Sequence, residues 1–576
     1  MGQFLICPDS MGAYADALDA RLAGHGFRAG FTASVDGFRV MLHRRLNGSA
    51  CNAVTLENGD FAAHTGSFFF DGEIGAAALR GVHAAFTEKT MPWDRCRGHY
   101  ALILRKDGAL YLVTDRLGSY HVYHRRDEAV FSSSFMAVLD SIDAPVPDPT
   151  GIFQYVWNGS TFGDRTVFDA VRLLPAPAVV RFGETVRIGV AGPAIDLFEE
   201  TRAATVAAHA RERSDALRSL FATYGALAPR PVRSALSGGY DSRLILAALR
   251  DAGITPELFV FGGEADPDVT TAKRIAAGEG LALRHLDKGR AAPSAPDAFP
   301  AQVERDLVAF DGLKYDGLFD SGADYRDRMD RQAGDAVVLN GSAGEIYRNF
   351  FYLPDKPLAL DDLISAFFSR YDPAAMTSAF SEDAYRDTLA ADMMAALRTD
   401  KVKVSRPMIE ALYPLFRGRY WSARDVSVNQ RFGWMLYPFL EPEIIAGTNT
   451  IPYGVKQFGR LEAAMIRHLS PELARYRTAY GMSLEGEPPL SFKLKQLASI
   501  HRPAAIRRRT YRFARHAPPP PWLTRPWLGT VLDMELPYMR ALFRTGRMKA
   551  PEALNRMLTI EYLCQRANAP YLPVNS

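Results

Sequence analysis

The stretch Ser237-Gly-Gly-Tyr-Asp-Ser242 decides the fold of the larger part of this 576-residue chain. It follows the apolar run 232–236 and leads into the helical pattern 242–252, so we predict a turn from a strand into a helix. Paired glycines let the backbone adopt positive φ and approach a ligand closely. The loop amides and the helix N-terminus then form a cradle for phosphate oxygens, with Ser237 and Ser242 as hydroxyl donors.

Asp241 adds a carboxylate beside this anion cradle, an arrangement that is favourable when Mg²⁺ lies between the two negative charges. No Gly-Lys-Ser/Thr follows, so the loop is not of the Walker A type. The alternative is a glycine-rich turn with no ligand, which paired glycines alone would not exclude. The two serines and the aspartate in this strand–turn–helix context favour phosphate binding.

The amino-acid composition limits which classes of protein this chain can belong to. Hydrophobic residues make up 48% and charged residues 23%, and a net charge of +3 gives no support to a nucleic-acid partner. No run of about 20 apolar residues and no signal-peptide pattern occurs, so we expect no membrane association. The cysteines form no close pair, which favours a reducing, cytoplasmic setting over disulfides or a zinc site; they are Cys7, Cys51, Cys96 and Cys564.

The pattern of apolar residues changes along the chain. Residues 1 to about 145 are predicted to be β-rich, and Lys106-Asp-Gly108 is predicted to be a hairpin turn. A linker rich in Pro and Asp follows at 143–149. From about 205, helical runs alternate with short strands, which predicts a parallel sheet covered by helices. The segments are strands at Phe38–His43, 67–70, 100–105, 110–114, 232–236 and 258–261, and helices at 203–224, 242–252 and 269–278.

The hexad 237–242 resembles the signature of the PP-loop ATP pyrophosphatases. That resemblance implies cleavage of ATP between its α- and β-phosphates, adenylation of a substrate carboxylate or carbonyl, and pyrophosphate held by the loop. Further segments are similar in order and spacing to those of asparagine synthetases. They are 97–102, 114–118, 122–123, 131–134, 166–175, 259–261 with Asp266 and Asp268, 337–346 and 437–441.

This second resemblance covers nearly the whole chain and implies its architecture. Residues 1–200 would form an α+β, Ntn-amidotransferase-like β-sandwich domain. Residues 201–576 would form an α/β PP-loop synthetase domain with a parallel sheet and many helices. The family's glutaminase uses a cysteine exposed as the N-terminal residue, and Gly2 stands there in this chain. Since Cys7 lies too far in to carry a free α-amine, we expect an inactive, retained domain and no glutamine hydrolysis.

The resemblance also implies the composition of the ATP site. Adenine would rest near Ala235, Val260 and Phe261, with Asn340 and Gly341 supplying polar edges. The phosphates would be held directly or through metal by Ser237, Gly238, Gly239, Tyr240, Asp241 and Ser242. Glu345 stands where the family has a second metal-binding Asp, so Asp241 and Glu345 are the predicted Mg²⁺ ligands. A capping or ion-pairing residue at a helix start is the alternative for Glu345.

A cationic residue that the family carries late in the chain is missing at the matching position. Relatives carry a late Lys, in an Arg-x-Lys segment, that stabilises the adenylate and pyrophosphate; here Arg477 is followed two residues later by Ala479. Arg477, Lys493 and Lys495 are the candidate replacements, although lysines usually lie on the surface. A basic, aromatic segment at 502–527 contains six arginines between Arg502 and Arg515. It is predicted to be a solvated basic helix, with an acidic-peptide wall and a nucleic-acid patch as alternatives.

Without glutamine as the ammonia source, an amine of the substrate itself would attack the acyl-adenylate. β-Lactam synthetases and lasso peptide cyclases work this way, but the catalytic Tyr of the former is replaced here by Ser342. The resemblance therefore favours a lasso-type macrolactam synthetase. ATP and Mg²⁺ would be its cofactors and a precursor peptide its substrate. A leader peptidase and a leader-binding protein would be its partners.

Four other functions remain open at this point. An ammonia-dependent asparagine synthetase or a β-lactam synthetase would use the same adenylation chemistry. A non-catalytic binding or regulatory relative would have no need of two metal carboxylates. A tRNA-modifying or thiolating PP-loop enzyme often uses Cys pairs, which this chain lacks.

Overall fold

The structure is a computed structural model that describes residues 1–48, 52–511 and 518–572. Cys51 and the arginines Arg512 and Arg515 of the basic segment lie outside these residues. Cys7, Cys96 and Cys564 are buried free thiols. No helix within the described ranges combines the length and apolar character needed to cross a bilayer.

The N-terminal part contains two antiparallel sheets. Their strands are β1 (Gln3–Pro8), β2 (Ala29–Val35), β3 (Phe38–His43), β4 (Ala53–Thr55), β5 (Phe61–Gly66), β6 (Phe69–Phe70), β7 (Cys96–Arg97), β8 (Tyr100–Lys106), β9 (Ala109–Thr114), β10 (Tyr123–Arg125), β11 (Phe131–Ser132), β12 (Val171–Leu173), β13 (Ala178–Phe182) and β14 (Arg187–Val190). One sheet has the order β12-β10-β11-β1-β3-β2 and the other β14-β13-β9-β8-β5-β4, while β6 and β7 form a separate pair.

These sheets pack face to face, as the predicted β-sandwich requires. Alternate residues of β1, such as Phe4 and Ile6, share one buried cluster with Ala101 and Ile103 of β8. The predicted hairpin at 106–108 joins β8 to β9, and its residues Asp107 and Gly108 both adopt positive φ, 52° and 83°. The predicted strand 67–70 is shorter than expected, because Ser67 hydrogen-bonds to His99 and only Phe69–Phe70 pairs with β7.

Helices carry most of the remaining chain. They are α1 (Gly12–Gly24), α2 (Gly75–Ala85), α3 (Phe135–Leu139), α4 (Pro149–Asn158), α5 (Val206–Tyr224), α6 (Asp241–Asp251), α7 (Pro267–Glu279), α8 (Phe299–Phe310), α9 (Ala323–Arg331), α10 (Leu360–Leu363), α11 (Glu382–Leu397), α12 (Arg406–Leu412), α13 (Ala423–Phe432), α14 (Pro442–Ile445), α15 (Tyr453–Lys456), α16 (Arg460–Leu469), α17 (Pro471–Arg475), α18 (Leu490–Ile500), α19 (Ala504–Tyr511), α20 (Arg525–Leu528) and α21 (Pro551–Arg566). The segments Ile364–Phe368 and Tyr413–Ser422 are π-helical. Pro149, the last residue of the predicted linker, is the first residue of α4 and directly follows Asp148, which caps the helix.

A parallel sheet forms the centre of the C-terminal part, as the alternating pattern predicts. Its strands are β15 (Val232–Ala235), β16 (Glu257–Phe261), β17 (Leu283–Leu286), β18 (Val337–Leu339) and β21 (Trp434–Leu436), in the order β17-β16-β15-β18-β21. A short antiparallel pair, β19 (Leu358–Ala359) and β20 (Lys403–Val404), lies apart from it. The chain is thus α+β in its first part and α/β in its second. The boundary near residue 200 stays a prediction; it falls between β14 and α5.

A buried carboxyl group connects the two parts. Glu441, five residues beyond β21, is fully buried and accepts hydrogen bonds from the Gly98 amide at 3.0 and 3.1 Å and from the Tyr224 hydroxyl at 3.0 Å. Burial, together with the neighbouring charge of Glu443, raises the pKa of Glu441 to about 8. The folded protein therefore holds a proton on Glu441 at a pH where the unfolded chain has released it.

This proton predicts a pH dependence of stability. Between the ordinary value of 4.5 and about 8, the folded state binds the extra proton, so the free energy of unfolding contributed by Glu441 falls as pH rises. We expect the melting temperature of the native chain, relative to that of the Glu441→Gln variant, to drop by several degrees from pH 5 to pH 8. The exposed Glu472→Gln substitution is the control, and parallel melting curves for the native chain and Glu441→Gln across this range would contradict the assignment.

Candidate active site

Two loops meet at the carboxyl edge of the parallel sheet. Ala235 ends β15 and leads into the loop 237–240, whereas β18 leads into the loop 340–344. The strand order places β16 on one side of β15 and β18 on the other, so the direction of chain progression reverses at this point. Open α/β sheets bind their ligands in the crevice at such a switch point. The crevice here lies between the glycine-rich loop and the segment that contains Glu345.

Glycines allow the two loops to touch. A Cβ added at Gly341 would lie 3.0 Å from the Ser242 amide nitrogen, and one added at Gly344 would lie 2.3 Å from Oδ1 of Asp241. Neither contact leaves room for a side chain. The predicted polar edge at Gly341 is therefore backbone that rests directly on the start of α6.

Internal hydrogen bonds hold the loop 237–242 in shape. The Ser237 amide donates to the Ser242 hydroxyl at 2.8 Å, and the two hydroxyl oxygens are 3.0 Å apart. The Gly238 amide donates to a carboxylate oxygen of Asp268, in the first turn of α7, at 2.8 Å. The Gly239 amide donates to the Ser237 hydroxyl at 3.3 Å, so the amides of Ser237, Gly238 and Gly239 all have partners within the protein.

Arg348 brings three carboxylates together. Its Nη2 donates to both oxygens of Asp241, at 2.7 and 2.6 Å, and lies 3.7 Å from Oε1 of Glu345. Its Nε lies 3.0 Å from Oε2 of Glu462, which is fully buried on α16. Burial and the nearby Asp241 charge raise the pKa of both Glu345 and Glu462. Burial opposes the charge of Arg348, but the three carboxylates hold its pKa well above the usual value.

Glu345 has a second partner on the opposite side. The Tyr413 hydroxyl, at the start of the π-helical segment, donates to Oε2 of Glu345 at 2.5 Å. Burial and the adjacent Glu345 charge raise the pKa of this hydroxyl well above its usual range. Tyr413 therefore remains a proton donor that holds Oε2 of Glu345 in place.

The predicted metal ligands are compatible with a divalent cation. One nitrogen of Arg348 lies within 4 Å of both the Asp241 and the Glu345 carboxylates, so the two groups converge on one position. Asp241 and Glu345 both offer carboxylate oxygens, which are the ligands that Mg²⁺ prefers, although no group of three or more such side chains is arranged as a metal site in the described part of the chain. Asp241 and Glu345 are the residues that would hold such an ion, and it would neutralise charge there; in this structure Asp241 is hydrogen-bonded to Arg348. Asp241 and Glu345 as metal ligands remain a prediction.

A cavity of about 700 Å³ opens beside this cluster. Its polar lining includes Tyr240 of the loop, Arg348 and the buried Lys456, whose Nζ lies 2.9 Å from Oε2 of Glu410. Tyr480 and Phe492 supply aromatic surface, with ring centroids 5.9 Å apart. The volume is in the range of small-molecule sites.

The candidate replacements for the late Lys are placed differently from one another. Ala479 contacts the loop, because its amide donates to the Gly238 carbonyl at 2.9 Å, so the predicted position of that segment is supported. Lys495 lines the cavity. Lys493 instead forms an ion pair with Glu487 at 2.8 Å, and the side chain of Arg477 is exposed to solvent. Of the three candidates, the structure brings only Lys495 to the cavity.

The predicted adenine-binding residues lie at the end of β15 (Ala235), on the neighbouring strand β16 and in the loop after β18. Val260 is buried within the sheet, and the Phe261 ring is half-buried, with Nζ of Lys288 4.3 Å from its centroid. Oδ1 of Asn340 already accepts from the Ser342 amide and hydroxyl, at 2.8 and 2.7 Å. Nothing in these contacts tests the adenine prediction.

The sequence analysis did not identify four residues of the site. They are Arg348, Tyr413, Glu462 and Asp268, whose carboxylate accepts a hydrogen bond from a loop amide. Arg348 follows Glu345 by three residues, directly after the 3₁₀ turn Gly344–Tyr347, so its closeness in sequence was a usable signal. Glu462 and Tyr413 are more than 60 residues away in sequence, and only the fold brings them close. The basic segment is also less solvated than predicted, because Arg507 is buried and donates to the Phe351 carbonyl.

No protein-family model and no curated protein matches this chain. Among solved structures, the chain is similar to the allosteric regulatory enzyme of purine biosynthesis, with 11% identity over 51% of this chain and 82% of that chain and a TM-score of 0.24. A glutamine phosphoribosylpyrophosphate amidotransferase from B. subtilis has 11% identity over 51% and 83%, with the same TM-score of 0.24. A U34-tRNA thiolase from Methanococcus maripaludis has 12% identity over 56% and 90%, with a TM-score of 0.20. At these TM-scores the likenesses support no assignment.

The contact between Gly344 and Asp241 gives a prediction for this site. A methyl group in Gly344→Ala would displace the Asp241 carboxylate, so we expect affinity for Mg²⁺–ATP to fall at least tenfold in titration calorimetry. Gly454→Ala is the matched control, because a Cβ there meets nothing within 4 Å. Unchanged affinity in a Gly344→Ala protein with a native circular dichroism spectrum would show that Asp241 takes no part in nucleotide binding.

Proposed function

We propose that this protein is an ATP-dependent amide synthetase that adenylates a carboxylate and then closes an amide within the same substrate. The observation that carries the proposal is the convergence of Asp241 and Glu345 beside the 237–242 loop, at the switch point of a parallel sheet. A glycine-rich loop at the N-terminus of α6, next to paired carboxylates, suits a nucleotide phosphate bridged by Mg²⁺. Mg²⁺ would supply charge neutralisation for the phosphates.

The reaction needs one carboxylate and one amine. The carboxylate oxygen attacks the α-phosphorus of ATP, the bond between that phosphorus and the αβ-bridging oxygen breaks, and pyrophosphate leaves. The amine then attacks the acyl carbon, loses a proton and releases AMP, which keeps the former carboxylate oxygen. The loop 237–242 would hold the departing pyrophosphate. Arg348, between the loop and the cavity, would take over the role of the cation that Ala479 does not provide.

The cavity supports a substrate with a carboxylate and apolar bulk. Lys495 gives it positive charge, since Arg348 and Lys456 are ion-paired with carboxylates, while Tyr480 and Phe492 give it aromatic surface. Its volume of about 700 Å³ exceeds the needs of a single small amino acid and suits a segment of a peptide. We therefore place a precursor peptide first among the substrates, with macrolactam closure as the product. A leader peptidase that frees the attacking amine and a leader-binding protein would be its partners.

The N-terminal part bears on where the attacking amine comes from. Burial, partly offset by Arg39, raises the pKa of Cys7 to about 11, so its thiol stays protonated and lies inside β1. A buried, protonated thiol is a poor nucleophile for glutamine. We infer that this part serves as a scaffold and that the nitrogen comes from the peptide itself.

The proposal predicts a loss of activity when the loop carboxylate is neutralised. In Asp241→Asn we expect ATP–pyrophosphate exchange to fall by at least a hundredfold, because the amide cannot balance Mg²⁺ charge. The assay uses a library of linear peptides that each carry a free amine and one internal Asp or Glu. Asp251→Asn, at the other end of α6, is the matched control.

Products are identified by mass, since macrolactam closure removes one water from the peptide. Exchange in Asp241→Asn at the native rate would contradict the proposal. A product pair of ADP and phosphate instead of AMP and pyrophosphate would contradict it as well.

A further inference from the structure

A second cavity, of about 470 Å³, is lined by Arg417 and Trp421 of the π-helical segment Tyr413–Ser422, and it takes no part in the chemistry described above. We call it the Trp421 cavity. Trp157, Tyr315 and Trp421 form aromatic walls, and the centroids of Tyr315 and Trp421 are 5.4 Å apart. The positively charged residues that line it are Arg370, Arg417, Arg547, Lys549 and Arg556.

The charge of the Trp421 cavity is unbalanced. Five cationic side chains face two carboxylates, those of Asp372 and Glu552. Among the described residues, no carboxylate oxygen lies within 4.0 Å of the basic groups of Arg417, Arg547 or Lys549. Burial, together with the charges of Arg370 and Arg556, lowers the pKa of Arg417 to about 10, although Tyr413 opposes this shift. Arg417 remains charged at neutral pH, so an anion is the missing partner.

The Trp421 cavity is linked to the catalytic carboxylates by one short segment. The π-helical stretch Tyr413–Ser422 carries Tyr413, Arg417 and Trp421 at intervals of four residues. The Arg417 guanidinium lies 3.9 Å from the Trp421 ring centroid and 5.8 Å from that of Phe350. Phe350 in turn packs on Tyr413, with centroids 4.2 Å apart. A ligand on Arg417 would therefore fix the segment that orients Glu345.

We infer that the Trp421 cavity is an accessory binding site for a carboxylate-bearing stretch of the peptide substrate, distinct from the residue that is adenylated. This inference rests on the proposed function for the identity of the peptide. Carboxylates suit the guanidinium edge of Arg417, and the aromatic walls suit the flat faces of peptide groups. Arg556 adds positive charge, although its Nε and Nη1 already donate to the Tyr315 and Val156 carbonyls. The side-chain cations surround a space open to solvent rather than a nest of backbone amides, which favours carboxylates over phosphate.

The test measures binding without ATP and Mg²⁺, so it does not depend on adenylation. The probes are an acetylated, amidated triglutamate peptide, its triglutamine counterpart and inorganic phosphate, each titrated into the full chain by calorimetry. Arg547 and Lys549 are exposed, so the double variant Arg547→Ser/Lys549→Ser is expected to fold normally. Arg540→Ser, also exposed, is the control outside the cavity.

We expect triglutamate to bind the native chain and Arg540→Ser equally, and to bind the double variant at least tenfold more weakly. In the peptide assay, the double variant should raise KM for acidic peptides while kcat stays within twofold. Equal binding of triglutamine, absence of triglutamate binding or native affinity in the double variant would overturn the inference. Tighter binding of phosphate than of triglutamate would identify an inorganic-anion site instead. None of these results depends on ATP–pyrophosphate exchange. Failure of this inference can therefore be told apart from failure of the proposed function.

Discussion

The guanidinium of Arg348 is the group on which the arrangement of the site depends. It hydrogen-bonds to both oxygens of Asp241 and lies within ion-pair distance of Glu345 and Glu462, which come from three separate regions of the chain. Removing one partner of such a buried cluster leaves a charge that water cannot solvate, which is strongly unfavourable. The loop after β15, the loop after β18 and helix α16 are therefore held in fixed relation. That relation defines both the crevice and the mouth of the larger cavity.

Much of this architecture could be predicted from the sequence. Alternating helical and strand patterns predicted the parallel sheet, because the two periods differ and a helix between successive strands provides the crossover that parallel pairing needs. The hexad 237–242 indicated the loop at the carboxyl edge, and β15 and α6 flank it as expected. The pattern Lys106-Asp-Gly108 predicted the hairpin of the sandwich, and Asp107 and Gly108 adopt the positive φ that such a turn needs. These features depend on local patterns, so the sequence alone contains their signal.

The rest of the site depends on contacts between distant residues. Glu462 is more than a hundred residues from Arg348, and no periodicity predicts that a glutamate on α16 is buried beside the loop. Tyr413 meets Glu345 because a π-helical segment follows α12, and its side-chain direction differs from that of an α-helix. The sequence could not tell which of Lys493 and Lys495 reaches the site. The two residues lie on different sides of α18, so Lys493 pairs with Glu487 and Lys495 lines the cavity. The Trp421 cavity likewise arises from the packing of five separate segments.

Transfer of oxygen from substrate to AMP tests the central claim most directly. A linear peptide that the protein cyclises would be labelled with ¹⁸O in its side-chain carboxylate and converted with Mg²⁺–ATP, and the released AMP would be analysed by mass spectrometry. If the carboxylate attacks the α-phosphorus, each AMP molecule carries one oxygen from the peptide, and pyrophosphate carries none. Label in inorganic phosphate, or AMP without label at full conversion, would contradict adenylation at this site.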